Sequence, residues 1–188
     1  MSQNNQQART VTSADHGKLD VRALVLLAVL LAAGFILNFT VGKAISGATG
    51  GLISPEFIIS AFCLTILVVR PNVGQALVIG LISAAVIQIT TTSPFIDFAA
   101  EGVAAMLMAV IVNSLMGSKA GKVVPLVGTF VTTVVSGIIF MLIKIAMIGA
   151  AQQLVAAMLP VVVLTGVFNA ILVQALYLPI RKALKIND

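Results

Sequence analysis

Six apolar runs, nearly free of charge, constrain this chain's fold more than any other feature. They cover about residues 21–41, 55–69, 73–91, 95–116, 123–150 and 154–180. An α-helix rises ~1.5 Å per residue, so crossing the ~30 Å apolar core of a bilayer takes ~20 residues. The second run is short and opens on Pro55, a residue tolerated where a helix starts. The fifth is long enough to tilt. The other fold that spans membranes is a closed barrel, whose strands of ~10 residues alternate polar and apolar side chains. These runs do not alternate. The expectation is an all-α polytopic membrane protein with six transmembrane helices over residues 21–180. A polar tail, 1–20, precedes them and a basic tail, 181–188, follows.

Composition closes off the other classes. Hydrophobic residues make up 60% of the 188 and charged residues 9%. A soluble domain has roughly 45–50% and about 25%. So few polar side chains cannot coat a soluble enzyme or a nucleic-acid binder, and a disordered chain would not be this apolar. The net charge of +5 does not point to nucleic acid, because the bases flank the apolar runs instead of forming one patch. They orient the chain instead. With the N-terminus inside, Arg9, Lys18, Arg22, Arg70, Lys119, Lys122, Arg181, Lys182 and Lys185 fall on the cytoplasmic side. The outer loops hold only Lys43, and Lys144 lies within the fifth run. Both termini are then cytoplasmic. The first 20 residues read as a cytoplasmic tail and not a secretory leader, because no small-residue cleavage site ends the run after them. The single cysteine, Cys63, sits inside an apolar run and offers neither a disulfide nor a CxxC pair.

An ionisable side chain at the centre of a transmembrane helix costs about 2.5–3.5 kcal/mol, so each one needs a reason. Glu56, Asp97, Glu101 and Lys144 all fall toward the outer ends of the runs. Asp97 and Glu101, four apart, share one helix face. Polar neighbours follow the same asymmetry: Asn38, Gln88, Thr90, Thr91 and Thr92 near outer ends, with Asn169 and Gln174 as deeper exceptions. One reading is an outward-facing pocket in which Glu101 and Lys144 hold the two charges of a zwitterion, with Phe95, Phe98 and Phe140 around its apolar part. The plain alternative is that Glu101 and Lys144 neutralise each other across a helix contact. For Glu56 and Asp97 the expectation is snorkelling to the headgroups ahead of ligand contact. Lys43, in a Gly-rich outer loop over 42–54, is either surface or part of a lid. The Thr run is either ligand-facing or a helix cap. Ala28 and Ala32, and likewise Gly80 and Ala84, show the small-xxx-small spacing that lets helices approach closely.

Catalytic and nucleotide motifs are missing. There is no GxxxxGK[ST] loop, HExxH or GxSxG, and the one histidine, His16, lies in the tail. Neither a cofactor nor a metal site is expected, nor an enzyme. Uphill transport would need ion coupling or a separate motor.

Several features together resemble the substrate-binding S components of energy-coupling factor (ECF) transporters. They are the basic inner start, the Ala-rich first helix, the Gly-rich first outer loop and six short-linked helices in about 190 residues. Ser54-Pro55-Glu56, Asn72-Val73, Gly80-Leu81-Ile82-Ser83-Ala84 and Thr90-Thr91-Thr92-Ser93-Pro94 resemble, more narrowly, the tryptophan-transporter family of S components. The chain departs from that family after the Thr run. A Gly-Gly-Gln stretch follows there, whereas Pro94 here runs into Phe95-Ile96-Asp97. The resemblance implies a multi-pass protein of a prokaryotic plasma membrane. It would capture tryptophan or a related aromatic amino acid outside, dock on a transmembrane T protein with two ABC ATPases, and release its cargo inside by toppling. Ala28 and Ala32 would then lie on the docking face. An S component for a vitamin or its precursor, and a self-contained ion-coupled carrier, stay open beside it. The latter lacks the inverted repeat that such carriers often show.

Overall fold

The structure, a computed structural model, describes residues 19–91, 93–149 and 151–185. Among these residues every regular element is helical. The helices are α1 (Val21–Leu37), α2 (Lys43–Ala48), α3 (Phe57–Val69), α4 (Val73–Ile87), α5 (Ile96–Leu115), α6 (Val124–Ile148) and α7 (Ala151–Ala183). Four rods are long and apolar enough to cross a membrane: Val21–Ala48, Ile96–Leu115, Lys119–Ile148 and Gln152–Ala183. α3 and α4 are shorter, with 13 and 15 residues.

Local chemistry sets the helix ends. Asp20 Oδ1 accepts from the Ala23 N–H at 2.8 Å and starts α1. Asn72 and Gln75 bond each other's backbone N–H in a capping box at the start of α4. Arg70, in the left-handed region at φ 53° just before Pro71, stops α3. Gly149 stops α6 at φ 75°, a conformation that carries no Cβ penalty for glycine.

Three boundaries differ from the sequence expectation. The first rod does not give way to a loop at Gly42. It passes through a π-helical turn, Asn38–Gly42, and continues as α2 to Ala48, so Lys43 stands on a helix and not in a loop. The third run stops being helical at Ile87, four residues early, where Gln88 turns its side chain to the next connection. The last helix runs on past residue 180 to Ala183.

α3 is the axis of the fold. Every residue from Phe57 to Val68 is buried, and α3 touches α1, α4, α5, α6 and α7. A helix apolar on all sides belongs inside a bundle, and α3 is apolar on all sides. α4 packs on α5, α5 on α6 and α6 on α7. Small residues set the close approaches. A Cβ on Gly80 would lie 2.5 Å from the Glu101 carbonyl oxygen, and one on Gly34 2.9 Å from that of Phe57. Gly80 and Ala84, both buried, therefore serve internal packing. Ala28 and Ala32 do not, because both face outward from α1. The exterior is greasy on every long helix, with Val29, Val110, Val127 and Ile171 among the exposed side chains.

Candidate functional site

A cavity of about 540 Å³ opens at one end of the bundle. Each wall comes from the part of a helix that lies at that end. The end of the first rod supplies Asn38, Phe39, Lys43 and Ser46. The segment entering α3 supplies Ser54, Pro55 and Glu56, and α3 itself Ile59. Ile87, Thr90 and Thr91 close the α4 side, and Asp97 and Glu101 the α5 side. α6 turns Thr133, Ser136, Gly137 and Phe140 inward, and α7 Met158, Val161, Val162 and Thr165. Most described bases lie at the opposite end: Arg22, Arg70, Lys119, Lys122, Arg181, Lys182 and Lys185.

The extended segment Ser54–Glu56 is strapped to α7. Thr165 Oγ1 donates to the Ser54 carbonyl at 3.0 Å and accepts from the Ser54 N–H at 3.3 Å. One turn on, Asn169 Oδ1 accepts from the Glu56 N–H at 3.3 Å, and its Nδ2 donates to the Glu56 carbonyl at 3.2 Å. The same Nδ2 lies 3.5 Å from Thr133 Oγ1 on α6. From the other side Asn38 Oδ1 accepts from the Phe57 N–H at 2.9 Å. Orphan donors at the start of α3 are thus satisfied by amide side chains from α1 and α7. Asn38 opens the π turn, an element rare elsewhere and frequent at functional sites.

The carboxylates occupy the interior. Glu56 stands at the N-cap of α3 and Asp97 in the first turn of α5, where a helix favours negative charge. Asp97 and Glu101 are 6% and 4% exposed. Gln88 brackets the turn into α5. Its Nε2 donates to Asp97 Oδ2 at 3.2 Å, and its Oε1 accepts from the Phe95 N–H at 2.9 Å. Ser136 donates to Glu101 Oε1 at 3.3 Å, while Oε2 is buried without a partner.

The structure brings together Asn38, Lys43, Glu56, Thr90, Thr91, Asp97, Glu101 and Phe140 of the residues singled out from sequence. Gln88 sits behind the wall, acting through Asp97. Phe95 does not enclose the cavity. Its φ of 72° at the helix start turns it out, and it is 76% exposed. Lys144 lies one turn beyond Phe140, with its ammonium 5.5 Å from the centre of that ring. It does not line the cavity, and no ion pair joins it to Glu101. Lys43 is the lysine at the rim, exposed and 4.4 Å from the Phe39 ring centre. Thr92 lies outside the described residues.

Sequence reasoning missed Ser136, Thr133 and Thr165 on the wall, and the strapping role of Asn169. A signal existed on α6. Thr129, Thr132, Thr133 and Ser136 repeat at helical spacing in an otherwise apolar run, and all are buried.

No family model matches the chain, and no curated protein or solved structure matches it either.

Proposed function

We propose that the chain is the substrate-binding S component of an ECF-type importer, taking tryptophan or a related aromatic amino acid. The observation that carries this reading is the one-sided cavity. It holds about 540 Å³, within the ~300–1,000 Å³ common for small-molecule sites. Its polar groups sit at one end of a bundle with an apolar exterior. A midplane site between broken helices would suit a self-contained carrier better.

In this reading six helices cross the membrane, with α3 and α4 as the short ones. α3 is sheathed by its neighbours, so its 13 residues need not match the lipid thickness. The bases at the far end support a cytoplasmic location for that end and for both termini. The cavity then opens outward in a prokaryotic plasma membrane. Indole or phenyl rings would pack on Phe39, Phe140 and Met158. Delivery inside would then fall to a T protein and two ABC ATPases, the partners that the family resemblance implies. The outward face of α1 with Ala28 and Ala32 is the docking surface in this scheme.

Indole fluorescence tests the substrate directly. The chain has no Trp and one Tyr, so emission from added tryptophan stands almost alone. A saturable blue shift with purified protein is the expected result. Its absence from folded, ligand-free protein removes tryptophan. Saturable uptake into vesicles that lack the ATPases would overturn the S-component assignment in favour of an ion-coupled carrier.

A further inference from the structure

We infer that the cavity recognises its substrate through a protonated amine held by Glu101 and Asp97, with no buried counter-charge for a substrate carboxylate. The inference rests on reading the cavity as a substrate site, and it names the group that site selects.

Three carboxylates, those of Glu56, Asp97 and Glu101, line the one cavity. The lysine lining it, Lys43, is an exposed rim residue whose ammonium lies over Phe39. Lys144 is outside the wall. The interior therefore gathers three acidic side chains without a matching cation. An unpaired carboxylate out of water is costly, and an occupant bearing positive charge removes that cost.

Glu101 supplies the independent sign of a ligand. It is 4% exposed, and Ser136 occupies only Oε1. Oε2 has no partner, although buried polar atoms nearly always have one. In its carboxylate form Glu101 only accepts, so the partner that completes Oε2 in that form is a donor such as an ammonium. Asp97, one turn away on the same helix, is held in place by Gln88 at 3.2 Å. A single metal ion does not fit. Among the described residues no three His, Cys, Asp or Glu side chains converge closely enough to hold one. The carboxylates are spread around a cavity with apolar walls of Ile59, Ile87 and Val162, which suits an organic ammonium on an apolar body.

The test compares tryptophan, tryptamine and indole-3-propionate on the purified full chain by indole fluorescence. Phenethylamine is added and read by thermal stabilisation. Tryptamine is expected to bind within about threefold of tryptophan, and indole-3-propionate at least ~30-fold more weakly, as loss of a charge-assisted pair predicts. Glu101→Gln and Asp97→Asn, both near-isosteric, are each expected to weaken tryptamine about 10-fold or more. Equal binding of indole-3-propionate and tryptamine overturns the inference, as does full tryptamine affinity in both folded variants. Tryptophan bound with tryptamine rejected also overturns it and leaves the transport reading intact. Tryptamine bound with tryptophan rejected removes the amino-acid substrate and upholds amine recognition. If neither amine nor tryptophan affects protein of native helix content, both readings fall.

Discussion

Asn169 commits both ends of its amide to the strap that carries Glu56. It is fully buried, so no water stands ready to replace it. Asn169→Ala strands the Glu56 N–H and removes one of the donors to its carbonyl, which keeps the Ser60 N–H at 3.2 Å. Each buried group left without a partner costs about 1–3 kcal/mol. The expected outcome is a lower melting temperature together with weaker ligand binding, read by thermal unfolding and by ligand titration. Asn169→Leu, which keeps the volume but not the bonds, should do no better, because the loss is of hydrogen bonds and not of packing. Asn169 looked like an isolated polar residue in a long apolar run. Its role depends on which face of α7 meets the strap, and no local pattern encodes that. Asp97 and Glu101 were legible as a pair, because four-residue spacing sets a shared face whatever the tertiary packing.

At the scale of elements, α4 and α5 meet through Gly80. A Cβ there would sit 2.5 Å from the Glu101 carbonyl oxygen and 2.8 Å from Ala105 Cβ. Neither atom ends a flexible side chain, so the helices themselves must separate. Gly80→Ala should destabilise by about 1–3 kcal/mol, as overpacking does. It should also weaken binding, because the backbone that shifts carries Glu101. Gly47 is the contrast. It lies in α2 with nothing within 4 Å of a new Cβ. Gly47→Ala should be neutral or stabilise by up to ~1 kcal/mol, through helix propensity alone. Thermal unfolding of the two variants side by side checks both signs. The first rod shows how a boundary misleads. Gly42 and Lys43 look like the opening of a loop, yet Gly42 is buried, and a Cβ there would lie 3.6 Å from the Phe57 ring and from the Pro55 carbonyl. It continues a helix that passes through a π turn.

At the scale of the whole molecule, the two ends differ in charge. Acids gather around the cavity and bases at the far end. Site-directed thiol labelling reads the resulting orientation in intact cells. Cys63 is fully buried and contributes little background. Leu52→Cys, in the exposed turn at the cavity end, is expected to react with an impermeant maleimide from outside. Ala120→Cys, exposed between α5 and α6 at the other end, should react only after permeabilisation. The reverse pattern would put the cavity on the cytoplasmic side and end its assignment to capture from outside.

Hydropathy by itself determined that the chain is helical and that its exterior is apolar, because long uncharged runs satisfy their backbone in lipid only as helices. It also placed α5 to within a residue at each end. Periodicity and charge position put the acids at one end of alternate helices, so the location of the cavity was visible before its shape. Tertiary packing decided the rest. The depth of a residue along a helix follows from counting, but its contacts follow from which neighbour each face meets. Lys144 sits near the expected depth and still misses Glu101, since it lies a turn past the cavity wall over Phe140. Ser136, Thr165 and Asn169 resemble many polar residues of apolar helices until α6 and α7 close on the strap. Those contacts span more than a hundred residues of chain in the case of Asn169 and Glu56, and only the folded bundle brings such partners together.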